Sequence, residues 1–153
     1  MRTLELKIPP PIVALTCAAL MYAATRLVPE WRWSWENSGA WGVVVALAGI
    51  ALDALGLVAF LRAKTTVNPL APSASSTIVQ SGVYRHTRNP MYLGMLLVLL
   101  GFALYLAHPV PFLLLPVFPA YLTRFQIIPE ERILAAKFGA EYSAYASRVR
   151  RWL

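Results

Sequence analysis

Cysteine is almost missing from this chain: Cys17 stands alone, so no disulfide can form within it. The two histidines lie far from it, and no Cys/His spacing suited to a metal occurs. Charge is scarce as well, at 14% of 153 residues, and only seven side chains are acidic. No hydrophilic block is long enough to make a second domain. Also missing are a glycine-rich phosphate loop, a dinucleotide fingerprint and a Ser/His/Asp set, so phosphoryl transfer, hydride transfer and metal-assisted hydrolysis have no visible machinery.

What the chain does have is apolar surface. Hydrophobic residues make up 58% of it, and its mean hydropathy is +0.56, well outside the range of a soluble domain. The formal net charge of +7 raises nucleic acid as a partner. No recognition motif supports that, and the basic residues flank apolar runs, so anionic lipid headgroups and topology explain the charge more simply. The N-terminus is weakly basic and lacks a small-residue cleavage site, which predicts that the first apolar run is permanent.

The expected fold is all-α: an integral membrane helical bundle in a single unit, 1–153. It has about four transmembrane helices and a C-terminal amphipathic cytoplasmic helix. Against the roughly 20 residues needed to cross a bilayer, the spans fall at about Ile8–Val28, Ala40–Leu61, Pro90–Ala107 and Val110–Ile128. Little more than His108-Pro109 joins the last two, which predicts a tight antiparallel hairpin. WRWSWENSGAW, between the first two, has the tryptophan content of an interfacial belt. With four spans, Arg2, Lys7, Arg62, Lys64, Arg85, Arg88, Arg132, Lys137, Arg148, Arg150 and Arg151 share one side, and only Arg26 and Arg32 fall opposite. That distribution predicts both termini and the Arg62–Asn89 loop in the cytoplasm, as in a plasma (inner) membrane protein.

In the second span, Gly42, Ala46, Gly49, Asp53 and Gly56 recur at spacings of three and four, so they share one helix face. Small residues there let another helix approach closely, and Gly94 and Gly101 make a weaker stripe on the third span. Asp53 therefore points into the bundle. An ionisable residue at that depth is a functional candidate; a carboxyl bonded to a neighbouring Tyr, Trp or Arg is the structural alternative. Pro111, Pro116 and Pro119 predict kinks in the fourth span, tolerable where the freed carbonyls face protein. Lys64–Gln80 reads as an extended loop over the membrane face. From Pro129 onward, Leu134, Phe138, Tyr142, Tyr145 and Val149 form a helical stripe, predicting an amphipathic helix over about 130–149.

The chain is organised around GVYRHTRNPMYLG, Gly82–Gly94, where Arg85, His86 and Arg88 meet an apolar run between Tyr84 and Tyr92. Asn89-Pro90 reads as a helix start, with Asn as the N-cap. A positive-inside anchor is the plain alternative. Glu130 and Glu131 begin the tail helix, where carboxylates also favour the helix dipole. The short hairpin makes spans three and four neighbours, so the two blocks should face each other and form a two-signed polar mouth above an apolar crevice. Such a mouth suits a cytosolic zwitterion from above and a lipophilic molecule from the side.

These two blocks carry a family resemblance. GVYRHTRNPMYLG, with EERILAAKFGAEYSAY downstream, resembles the isoprenylcysteine carboxyl methyltransferase family and its phospholipid and thiol methyltransferase relatives. The matching residues are Gly82, Tyr84, Arg88, Pro90, Tyr92 and Gly94, then Glu130, Glu131, Leu134, Phe138, Gly139, Tyr142 and Tyr145; Thr65–Pro69 also looks like the family's loop. Asn89 stands where the family usually has His, so it cannot carry a proton charge. The resemblance implies an integral membrane enzyme using S-adenosylmethionine. Tyr84, Arg88, Asn89, Tyr92, Glu130 and Glu131 would bind the cofactor, and Glu131 and Arg88 would serve catalysis, with Asp53 joining them as a catalytic candidate for its place inside the bundle rather than by the resemblance. The partners implied are the bilayer and a lipophilic or small acceptor (carboxylate, thiol or amine), with no nucleic acid and no metal. Methyl transfer from a sulfonium depends more on alignment in a dry site than on acid–base help. An amine or neutral thiol would need a base, for which Glu131, Asp53 and His86 are the candidates. The rival reading is a non-enzymatic four-span protein, such as a proton-coupled exporter built around Asp53.

Overall fold

The computed structural model describes residues 4–33, 35–66 and 68–153. Arg2, counted above among the topology charges, lies outside the described residues, as do Ser34 of the tryptophan-rich segment and Val67 of the Thr65–Pro69 loop. The described residues form helices and turns, with no strand among them. Three helices are long and apolar enough to cross a membrane: α1 (Pro10–Leu27), α2 (Ser38–Arg62) and a bent helix over Pro109–Phe138. The fourth apolar helix, α3 (Pro90–Leu106), is shorter at 17 residues, about 26 Å of rise.

Helices α2 and α3 pack antiparallel through glycine. A Cβ added at Gly42 would lie 2.6 Å from the Gly101 carbonyl oxygen, and one at Gly101 would lie 2.5 Å from that of Gly42. Gly49 and Gly94 repeat the exchange one heptad along, at 2.5 Å and 2.7 Å. Each backbone thus fills the groove left by the other's missing side chain, as the small-residue face predicted. The residues α2 buries are Gly42, Gly49, Gly56 and Ala59, while Val43, Leu47 and Ile50 on its other faces are exposed. On the other side of α3, Met21, Leu99, Phe118 and Leu122 form an apolar core with α1 and the bent helix.

The prolines divide the bent helix. α4 covers Pro109–Leu114 and α5 covers Val117–Leu122; a π-helical turn at Thr123–Ile127 then leads into α6, Ile128–Phe138. The helix does not divide at the boundary expected between Ile128 and residue 130, but continues through Pro129. This proline lacks the amide that would pair with the Phe125 carbonyl four residues back, and the Leu6 amide donates to that oxygen instead, at 3.0 Å. The freed carbonyl is satisfied from the N-terminal segment, so the helix runs on through the proline.

The tail is not the single helix expected over 130–149. It breaks at Gly139, whose φ of 52° is left-handed, and resumes as α7, Ala140–Arg148. The apolar stripe survives the break: Tyr142, Tyr145 and Val149 are buried with Leu134, Phe138 and Ile78 packed on them. At the opposite end of the bundle, His108 Nδ1 accepts from the Val110 amide at 3.2 Å, so the ring proton sits on Nε2 and is donated to the Val28 carbonyl at 2.9 Å.

Candidate cofactor site

A cavity of about 220 Å³ opens where α3 begins and α6 and α7 meet. Its wall includes all six residues expected to bind the cofactor: Tyr84, Arg88, Asn89, Tyr92, Glu130 and Glu131. Apolar side chains (Phe60, Met91, Met95, Ile127) line another part, and further lining comes from the loop between Thr66 and Val79, from Pro10 and Pro11, and from Leu134, Tyr142 and Tyr145.

The two motifs do face each other. Arg88 Nη2 lies 3.1 Å from Glu131 Oε1, and the side chains are only 14% and 18% exposed, so the pair is largely desolvated. Arg88 Nη1 donates to Tyr142 Oη at 3.3 Å, and Tyr92 Oη donates to Glu130 Oε2 at 3.2 Å. Tyr145 Oη donates to the Tyr84 carbonyl at 2.9 Å, fixing the turn before α3, and Tyr84 meets Phe60 edge-on. Burial pushes the Tyr142 phenol up to about 12; Glu131 adds to the shift and Arg88 opposes it. Burial likewise raises Tyr145 and Tyr84. These tyrosines keep their protons at neutral pH and act as hydrogen-bonding groups, not bases.

Asn89 departs from its expected role. It occupies the position before α3, but its side chain makes no cap bond; Nδ2 donates to the Arg151 carbonyl at 2.9 Å. Thr87 Oγ1 accepts from the Asn89 amide instead, at 3.2 Å. The helix-dipole reading of Glu130 and Glu131 also weakens, because α6 continues from the turn before it and has no free N-terminus.

Asp53 is outside the cavity wall. It sits on the α2–α3 seam against the Cα of Gly94, its Oδ1 buried without a hydrogen-bond partner, so the Tyr, Trp or Arg partner considered for it is not found among the described residues. His86 is exposed and does not line the cavity.

The sequence reading missed the C-terminal contribution. Arg151 grips Glu131 with two nitrogens, Nε to Oε1 at 3.0 Å and Nη2 to Oε2 at 2.7 Å, and the carboxylate raises the affinity of Arg151 for its proton. The basic run RVRRWL was the available signal, and it reads equally well as a topology charge.

The wall has the chemistry of a zwitterion site. Its polar end carries the Arg88 guanidinium and the Glu130 and Glu131 carboxylates, Arg151 pairs with Glu131 without lining the cavity, and the Nε of Arg88 is buried without an acceptor. A family model, Phospholipid methyltransferase, matches residues 38–141. The chain belongs to the phospholipid methyltransferase family. The match covers the glycine-faced pair, the first motif and the second motif as far as Glu141, at the start of α7. Two relatives from rice (Oryza sativa subsp. indica and japonica), each described as a probable protein-S-isoprenylcysteine O-methyltransferase, are 30% identical over 142 residues, covering 90% of this chain and 72% of theirs. An uncharacterized protein from Haemophilus influenzae is 44% identical over 63 residues, 41% of this chain and 100% of its own length. No solved structure matches. Family membership and the apolar helices together make this a membrane methyltransferase, in agreement with the resemblance carried by the two motifs.

Proposed function

We propose that the protein transfers a methyl group from S-adenosylmethionine to a lipophilic or small acceptor at the cytoplasmic membrane face. One observation carries this reading: residues far apart in sequence, Tyr84, Arg88, Asn89 and Tyr92 on one side and Glu130 and Glu131 on the other, line one cavity with Arg88 and Glu131 3.1 Å apart. When bound, the cofactor supplies an electrophilic methyl group on a sulfonium. Arg88, whose Nε–H lacks an acceptor, would take the cofactor's carboxylate, and Glu130 with Glu131 would face its ammonium. Tyr92 and the methionines Met91 and Met95 would pack on its less polar part. Glu131 and Arg88 thereby orient the reacting groups. Asp53, set apart from the cavity, would act on packing or on the acceptor. The exporter reading loses its main support, because Asp53 is packed into a glycine seam and the family is one of methyltransferases.

Calorimetry in detergent with S-adenosylmethionine and its demethylated product tests the site. Truncating a charge-assisted contact at a buried site costs about 2–5 kcal/mol. Arg88→Ala, checked for folding by circular dichroism, is therefore expected to lose affinity by roughly thirtyfold or more. Equal affinity in a folded Arg88→Ala would remove Arg88 from the site. A parent protein with no affinity at millimolar cofactor would overturn the enzyme reading.

The same proposal sets four spans in one unit, 1–153, in the plasma membrane, with α3 as a short third span and both termini cytoplasmic. In support, Arg62 ends α2, Arg88 precedes α3 and Arg132 lies in α6, all toward the cavity, whereas Arg26 lies at the other end of α1. Reporter fusions at Lys64 and at the C-terminus should both read cytoplasmic, and one at Ser38 external. A cytoplasmic Ser38 would be incompatible with this topology.

A further inference from the structure

The segment that follows α7 does more than leave the bundle. Val149 is extended, and the chain then runs back beneath the start of α3. The Arg88 amide donates to the Arg150 carbonyl at 3.0 Å, and Thr87 Oγ1 and Asn89 Nδ2 both donate to the Arg151 carbonyl, at 3.3 Å and 2.9 Å. Trp152 Nε1 anchors the segment to Thr123 Oγ1 in the π-helical turn, at 3.2 Å. Residues 150–152 thus bind both motifs of the cavity wall without lining it themselves.

The side chain of Arg151 settles how Glu131 is shared. A guanidinium pairs best with a carboxylate through two parallel N–H···O bonds. Arg151 makes that two-nitrogen contact, so Arg88 is left with one nitrogen on Glu131, one on Tyr142, and an Nε–H with no acceptor. Without Arg151, Glu131 is free to take the Arg88 fork completely and neutralise the cation the cofactor needs.

We infer that Arg151 is a positioning residue for the cofactor site: it occupies Glu131 so that Arg88 keeps donors for the carboxylate of the incoming S-adenosylmethionine. This rests on the methyltransferase reading above. The test is calorimetric titration of the full chain in detergent with S-adenosylhomocysteine, well below the unfolding midpoint of each variant. Arg151→Ala and the better-tolerated Arg151→Gln should each bind about tenfold or more weakly. Arg151→Lys should recover part of the loss, since it restores the charge but not the fork. Arg148→Ala, whose side chain bonds Gln80, should match the parent. A purely structural role for Arg151 would lower the unfolding midpoint and leave affinity untouched in the folded protein. Parent-like affinity in folded Arg151→Ala or Arg151→Gln overturns the inference and leaves the methyltransferase reading standing. A parent without affinity takes down both, so the two failures are told apart by the parent alone.

Discussion

The α2–α3 seam and the polar end around α6 and α7 are built by opposite means. The seam is made by omission: two backbones touch at Gly42, Gly49, Gly94 and Gly101 because nothing projects between them. The polar end is made by side chains, with Arg88, Glu131, Tyr142 and Arg151 meeting at distances of 2.7–3.3 Å. The first region tolerates no added volume, and its close approach is made by backbone contacts, not by charge pairs. The second has room in its cavity, and its geometry depends on charge. Shape and chemistry have been assigned to different parts of one small bundle, with α3 belonging to both.

That contrast can be broken at the seam first. Gly49→Val would place side-chain atoms against the Gly94 carbonyl and the Val98 amide, backbone groups that cannot swing away. Overpacking a core costs about 1–3 kcal/mol where side chains can shift, and here the helices themselves must part. A loss of at least that size is expected, read as a collapse of the thermal midpoint in detergent. A parent-like midpoint would show that the seam is loose.

The smallest expected effect comes from Asp53→Asn, also on the seam. The substitution keeps the shape and removes a charge that has no partner at Oδ1. Stability should change by about 1 kcal/mol or less, and cofactor affinity should stay within about twofold of the parent, under 0.5 kcal/mol. Complete loss of cofactor binding would mean that the cavity has been assigned to the wrong side of α3.

These two regions also differed in how well they could be read from sequence. Glycine at heptad spacing has a single meaning in an apolar run, so the seam face was legible before any coordinates, as were the apolar helices and the two motifs of the cavity. What escaped was each feature decided by a contact distant in the chain. The expected boundary between the fourth span and the tail helix fell at Pro129, and it disappears because the Leu6 amide satisfies the Phe125 carbonyl. Asn89 reads as a cap until the Arg151 carbonyl claims its amide. Gly139 sits within a motif whose stripe continues on both sides, so periodicity alone carried the helix through a residue that turns left-handed. Arg151 was one arginine among several near the membrane, and nothing local marks it as the one that reaches Glu131.

The reciprocal carbonyl contacts of the seam have a consequence for how much the chain can vary. At Gly42, Gly49, Gly94 and Gly101 the set of acceptable residues shrinks to one, because even a methyl group meets backbone within 2.7 Å. On the outward faces of α2, by contrast, Val43, Leu47 and Ile50 are exposed and need only be apolar, so many letters serve equally. Most of the information that specifies this pair of helices therefore sits in the residues that contribute least mass. A library randomised over α2 should return glycine nearly unmixed at Gly42 and Gly49 and a broad apolar mixture elsewhere.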